Sequence, residues 1–166
     1  MIYDALERAH AIADANFTTD FDVLVTAKSL AGLDTSIRLY KRQMAELFAD
    51  EEELPGLGVY GTTTTTHSPR GPSGSAYRDS QNNIVYDYYA VGDDPEILSQ
   101  QVELAAEVLA GLFGKMLGGT EDILDAGAPE NSILVQLSPV AQIEGSRNFE
   151  RRVTVSGPVE DRDSGL

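Results

Sequence analysis

Cysteine is absent from the 166 residues. That excludes a disulfide scaffold and any metal site built on thiolates, and it permits a reducing compartment without requiring one. No run reaches the roughly 18 apolar residues of a transmembrane helix, so none is expected. Asp4, Glu7, Arg8 and Asp14 lie where a secretory signal would carry its apolar segment, which argues against one. Positive charge is scarce. Lys and Arg together number 12 against 27 Asp and Glu, a net charge of -15 at pH 7. Such a surface repels the nucleic-acid backbone and favours solubility. The only lysines are Lys28, Lys41 and Lys115. A lysine-poor acidic chain suits high salt, where self-repulsion is screened, and is equally compatible with an ordinary acidic protein.

Against these absences, the stretch from Asn83 to Gly119 is strongly patterned. Asn83 to Val91 is rich in β-branched and aromatic residues and predicts a strand. Gly92-Asp93 breaks it. Asp94 is placed to cap a helix, with Pro95 at its first position and Glu96 at the positive end of its dipole. Ile97, Leu98, Val102, Ala105, Val108, Leu109, Leu112, Phe113 and Met116 then repeat at helical spacing, and Gly118-Gly119 supplies the stop.

The remaining elements follow in order. Residues 2–15 predict an amphipathic helix, Asn16 to Asp20 a turn, and Phe21 to Ala27 a short β-prone run. Asp34 or Thr35 predicts the start of a second helix with Ile37, Tyr40, Met44, Leu47 and Phe48 on its apolar side. Leu57, Val59 and threonines 62–66 read as a strand, and His67 to Asn82 as a long loop. Ser132 to Gln136 and Pro139 to Ile143 form a strand pair with Phe149 to Ser156, turned at Gly145 to Asn148. The expected fold is α+β: one domain over 1–157, a mixed or antiparallel sheet of about four to five strands, helices on one face, and a loose acidic tail over 158–166.

Chemistry-bearing motifs are few. Gly56 to Gly61 spells G-x-G-x-x-G, but an acidic run precedes it and threonines follow, where a phosphate site needs a strand before and a helix after. His10 and His67 are the only histidines, too few and too far apart for a recognisable zinc set. Asp93, Asp94 and Glu96 are accounted for by helix capping. No nucleophile elbow or P-loop is present. Catalytic residues, cofactors and metals are therefore not expected. Asp87 stands out as the acid in a tyrosine strand: it shares a face with Val85 and Tyr89, while Ile84, Tyr86 and Tyr88 share the other. Such a strand can be covered on both sides, by the helix and by a neighbouring subunit, or else its hydroxyls reach solvent at the rim.

The order of a Pro-apolar strand (Leu54 to Tyr60), a long hairpin loop, an alternating strand (Ile84 to Val91), a helix and a final hairpin resembles the tail terminator proteins of long-tailed double-stranded DNA viruses. The resemblance covers roughly residues 54–157, and residues 18–53 depart from the compact family pattern as an insertion. It implies a virion protein of the tail or neck, assembled in the host cytoplasm, forming a hexameric ring. The ring caps the tail tube and meets the head connector or stopper, and DNA passes through the lumen without specific binding. Arg70, Tyr77, Arg78, Tyr86, Tyr88, Arg151 and Arg152 are then expected at subunit or partner interfaces, and the 67–82 loop as a docking arm. Two alternatives remain open: another neck or tail-completion protein, and a cytosolic enzyme or ligand-binding domain of a salt-loving cell.

Overall fold

The computed structural model describes residues 2–41, 44, 55–68, 77–115 and 133–159, with the backbone alone at 2–4, 64–68, 77–81 and 159. Two helices and six strands follow in the order α1 (Ile2–Ala27), β1 (Arg38–Tyr40), β2 (Gly56–Ser68), β3 (Tyr77–Gly92), α2 (Pro95–Lys115), β4 (Leu134–Leu137), β5 (Ala141–Gln142) and β6 (Phe149–Val159). The sheet runs β1-β2-β3-β6-β4, with β5 also paired to β6. β1 is parallel to β2, and every other pairing is antiparallel. The class is α+β, with a mixed sheet one or two short strands larger than expected.

Helix α2 begins as its sequence predicts. The Asp94 carboxylate accepts the N–H groups of Glu96 at 2.9 Å and Ile97 at 3.3 Å. Its buried face, from Leu98 to Phe113, lies on β6, β3 and β4, while α1 packs on α2, β2 and β3. Both helices cover one side of the sheet, where Leu57, Val59, Ile84, Tyr86, Tyr88, Val153 and Val155 meet them.

Five expectations need correction. The turn at 16–20 and the β-prone run at 21–27 are both part of α1. Ala9, Ala13, Phe17 and Phe21 repeat every four residues and are all fully buried, so packing overrides the turn composition and the β-branched residues. Asn16, read as a turn residue, instead donates its side-chain amide to Ile12 O at 2.8 Å within the helix. The helix predicted from Asp34 is absent over 35–41, because Arg38–Tyr40 pairs with Gly56–Gly58 instead. Asp34 Oδ1 accepts from the Ser36 N–H and hydroxyl, a local turn rather than a helix start. Leu47 and Phe48 lie outside the described residues. Finally, the loop predicted over 67–82 is strand at 67–68 and 77–82, and β6 continues through Pro158 and Val159 into what was expected to be tail.

The core is joined by satisfied hydroxyls. Tyr86 donates to Ala9 O at 2.8 Å, tying the central strand to α1. Tyr88 accepts from Gln101 Nε2 at 2.9 Å, and Gln101 Oε1 accepts the Asp34 N–H. Burial pushes both phenols well above their ordinary range, so both remain neutral donors or acceptors.

Candidate interaction surface

The residues expected at interfaces separate into four environments. Tyr86 and Tyr88 are fully buried beneath the helices, which corrects their assignment to a surface: their even-numbered positions on β3 face the helical layer. Arg151 and Arg152, adjacent in β6, point to opposite faces. Arg151 lies on the helix side, where Nη1 reaches Ser99 O at 3.2 Å, Ser99 Oγ at 2.6 Å and Glu103 Oε1 at 3.2 Å, and Nε donates to Ser138 O at 2.9 Å. It staples β6 to the start of α2, so it is not the available cation that was expected. Tyr77 and Arg78 open β3, in register with Ser68 and His67. Arg70 lies outside the described residues.

Arg152 belongs to a polar cluster on the side of the sheet away from the helices. Its Nε is 3.2 Å from Asp87 Oδ1, and its guanidinium lies 5.6 Å from the centre of the Tyr89 ring. Asp87 is fully buried, and its Oδ2 accepts the Met44 N–H at 3.0 Å. Burial raises the Asp87 carboxyl above the usual carboxylate range, against the opposing pull of the Met44 hydrogen bond and the Arg152 charge. The Tyr60 phenol is raised as well, first by burial and then by the Asp87 charge. Tyr89 donates its hydroxyl to Glu150. Met44 is itself buried, with its side chain over Gly56 and among Tyr89, Tyr40 and Val91. This chain therefore supplies part of the cover that was expected from a neighbour. Asp87 was legible as an odd residue; its partners Met44 and Arg152 were not, because no local spacing links them.

Beside the cluster is a small cavity of about 230 Å³ whose walls include Tyr89, Pro139, Ala141, Glu150 and Arg152. Gly56 to Gly61 lies within β2 rather than before a helix, so its glycines do not form a phosphate cradle. Among the described residues, no three His, Asp or Glu side chains converge as metal ligands, and no helix is long and apolar enough to cross a membrane.

The β2–β3 hairpin extends past the rest of the sheet. Pairing with β6 ends at Asn82↔Val159, whereas β2 and β3 continue from Thr64↔Gln81 to Ser68↔Tyr77. Among the described residues these five further pairs form a ribbon of two strands only. The sequence matches no protein-family model and no curated protein.

Proposed function

We propose that this protein is a structural assembly subunit of a long-tailed double-stranded DNA virus, a tail terminator whose ring caps the tail tube and meets the head connector. The ribbon beyond Asn82 carries this reading. Two strands without a third are marginal in water. A two-stranded extension of about 17 Å, at a rise of ~3.4 Å per residue, gains its order by lying against another surface. Its first strand continues the threonine run through Thr66, residues of high β propensity.

The charge balance supports the same reading. A subunit of net charge -15 gives a ring whose lumen repels the phosphate backbone, so DNA slides through without being held. Assembly of this kind takes place in the host cytoplasm and ends in the virion neck.

Two measurements test it. Light scattering and electron microscopy of the purified full chain should show closed rings; a 17.9 kDa monomer at every protein and salt concentration overturns the ring. Replacing residues 64–81 with a short glycine-containing turn should leave ring formation intact and abolish joining of tails to heads. Normal joining by that variant removes the docking arm.

A further inference from the structure

Among the described residues, two edges of this sheet lack the devices that normally keep β edges from pairing. β2 is bonded to β1 only over Gly56–Gly58, so from Val59 to Ser68 its outer side has no strand partner among the described residues. From Gly56 to Thr66 it contains neither charge nor proline. β4 closes the opposite side of the sheet, and Leu134–Leu137 also lacks both. Leu134, Val135 and Leu137 are 52%, 41% and 42% exposed, which is unusual for three apolar residues of one four-residue strand. Soluble proteins blunt such edges with lysine, proline, bulges or cover, because an open row of N–H and C=O groups recruits another strand.

The backbone identifies the groups on offer. Ser138 N–H donates to Arg152 O at 2.9 Å, in the same register that pairs Leu134 with Ser156 and Leu137 with Val153. Alternation along the strand then turns the N–H and C=O of Val135 and Leu137 outward. At the other edge, Pro55 O accepts the Arg38 N–H at 3.0 Å, so the odd-numbered residues of β2 face outward, including Gly61, Thr63 and Thr65.

Strand direction makes the two edges complementary. β2, β3, β6 and β4 alternate in direction across the sheet. A second copy in the same orientation therefore presents its β2 antiparallel to β4 of the first. Val135 and Leu137 lie on the helix side, opposite Val155 and Val153, and α1 packs on β2. The incoming copy thus carries α1 toward the exposed side chains of β4.

We propose that β4 of one subunit pairs antiparallel with the free edge of β2 in the next copy, carrying one sheet around the ring. This rests on the ring reading above and specifies its joint. The contact is heterologous, since each copy offers a different edge to each neighbour, and such contacts close into rings.

Proline at an outward-facing position removes a donor from the joint without removing a ladder bond inside the subunit. Val135→Pro spoils the β4 edge and leaves β2 intact; Thr63→Pro, on the part of the β2 edge that lies outside the 64–81 ribbon, does the reverse. Each variant alone should retain the far-ultraviolet circular dichroism of the unaltered chain and have the 17.9 kDa monomer mass at concentrations where that chain forms rings. Val135→Thr, which keeps the donor, should still form rings. Mixed in equal amounts, the two proline variants share one competent joint and should form a dimer of about twice the monomer mass and nothing larger. Rings that persist in either proline variant, or a mixture that stays monomeric, overturn the edge pairing while the ring reading survives on the unaltered chain. An unaltered chain that is monomeric throughout ends both.

Discussion

Gly157 lies so close to the Phe113 ring that a Cβ at that position would stand 2.7 Å from Cε1 and 3.0 Å from Cδ1. The contact places the last turns of α2 against β6. Phe113 also meets the Tyr86 ring edge-on, with centroids 5.4 Å apart, so it cannot retreat toward the centre of the sheet. Gly157→Ala should therefore destabilise the subunit by about 1–3 kcal/mol through overpacking. Urea unfolding measures this. Phe113→Leu in the same chain should recover part of the loss, whereas Phe113→Leu alone should be destabilising.

Ser29 ends α1 in a left-handed conformation, with φ of 53°. Its N–H bonds to Thr26 O at 3.1 Å and that of Leu30 to Val25 O at 3.1 Å, the paired bonds of a Schellman cap. Glycine adopts this conformation without the clash that a Cβ incurs. Ser29→Gly should stabilise the protein by up to ~1 kcal/mol, after allowing for glycine's greater freedom in the unfolded chain. A raised denaturation midpoint with an unchanged urea slope is the expected result; a lowered midpoint would show that the cap is strain-free as it stands.

The sequence made part of this fold legible. Helix α2 could be read directly, because Asp94-Pro95-Glu96 is a local start signal and its apolar spacing is unbroken. Helix α1 was legible only to residue 15, since Asn16-Phe17-Thr18-Thr19-Asp20 has turn composition and the burial of Phe17 and Phe21 depends on α2 and the sheet. β1 is three residues long and exists through parallel pairing with Gly56–Gly58, a relation that no local pattern records. The same holds at the polar cluster: Asp87 is conspicuous in its strand, yet Arg152 reaches it diagonally from β6, where Thr154 is its direct partner. The two faces of β3 were correctly separated by period-two alternation, but which tyrosines were interior was not legible from alternation alone.

Asp87 makes the stability of this protein depend on pH. Its carboxyl is raised by burial, more than the Met44 hydrogen bond and Arg152 lower it. A carboxyl whose folded pKa exceeds its unfolded one binds its proton more tightly in the folded state. Its contribution is therefore fully present below the ordinary carboxylate pKa and is lost as pH rises through the raised value. Asp87→Asn keeps an oxygen for the Met44 N–H and cannot ionise. The variant and the unaltered chain should converge in stability at acid pH, and the variant should be the more stable at pH 7. Denaturant midpoints across the pH range provide the measurement. A variant weaker at pH 7 than at acid pH, relative to the unaltered chain, would show that attraction to Arg152 outweighs desolvation.

Salt should strengthen both folding and association. Every copy carries -15, and bringing copies together in a ring multiplies the repulsion. The range of that repulsion falls from about 10 Å at 0.1 M salt to about 3 Å at 1 M. What salt removes in exchange is small: Lys28–Glu107, Lys41–Glu7 and Lys115–Asp20 are surface pairs, partly exposed at both ends, and such pairs contribute about 0–1 kcal/mol each. The proposed joint between β4 and β2 has no charge over Leu134–Leu137 or from Gly56 to Thr66, so screening costs it nothing. Light scattering across a sodium chloride series should therefore show the ring fraction rising with salt, and the unfolding midpoint should rise with it. A ring fraction that falls with salt would mean that copies are held by ion pairs, which neither of these edges can supply.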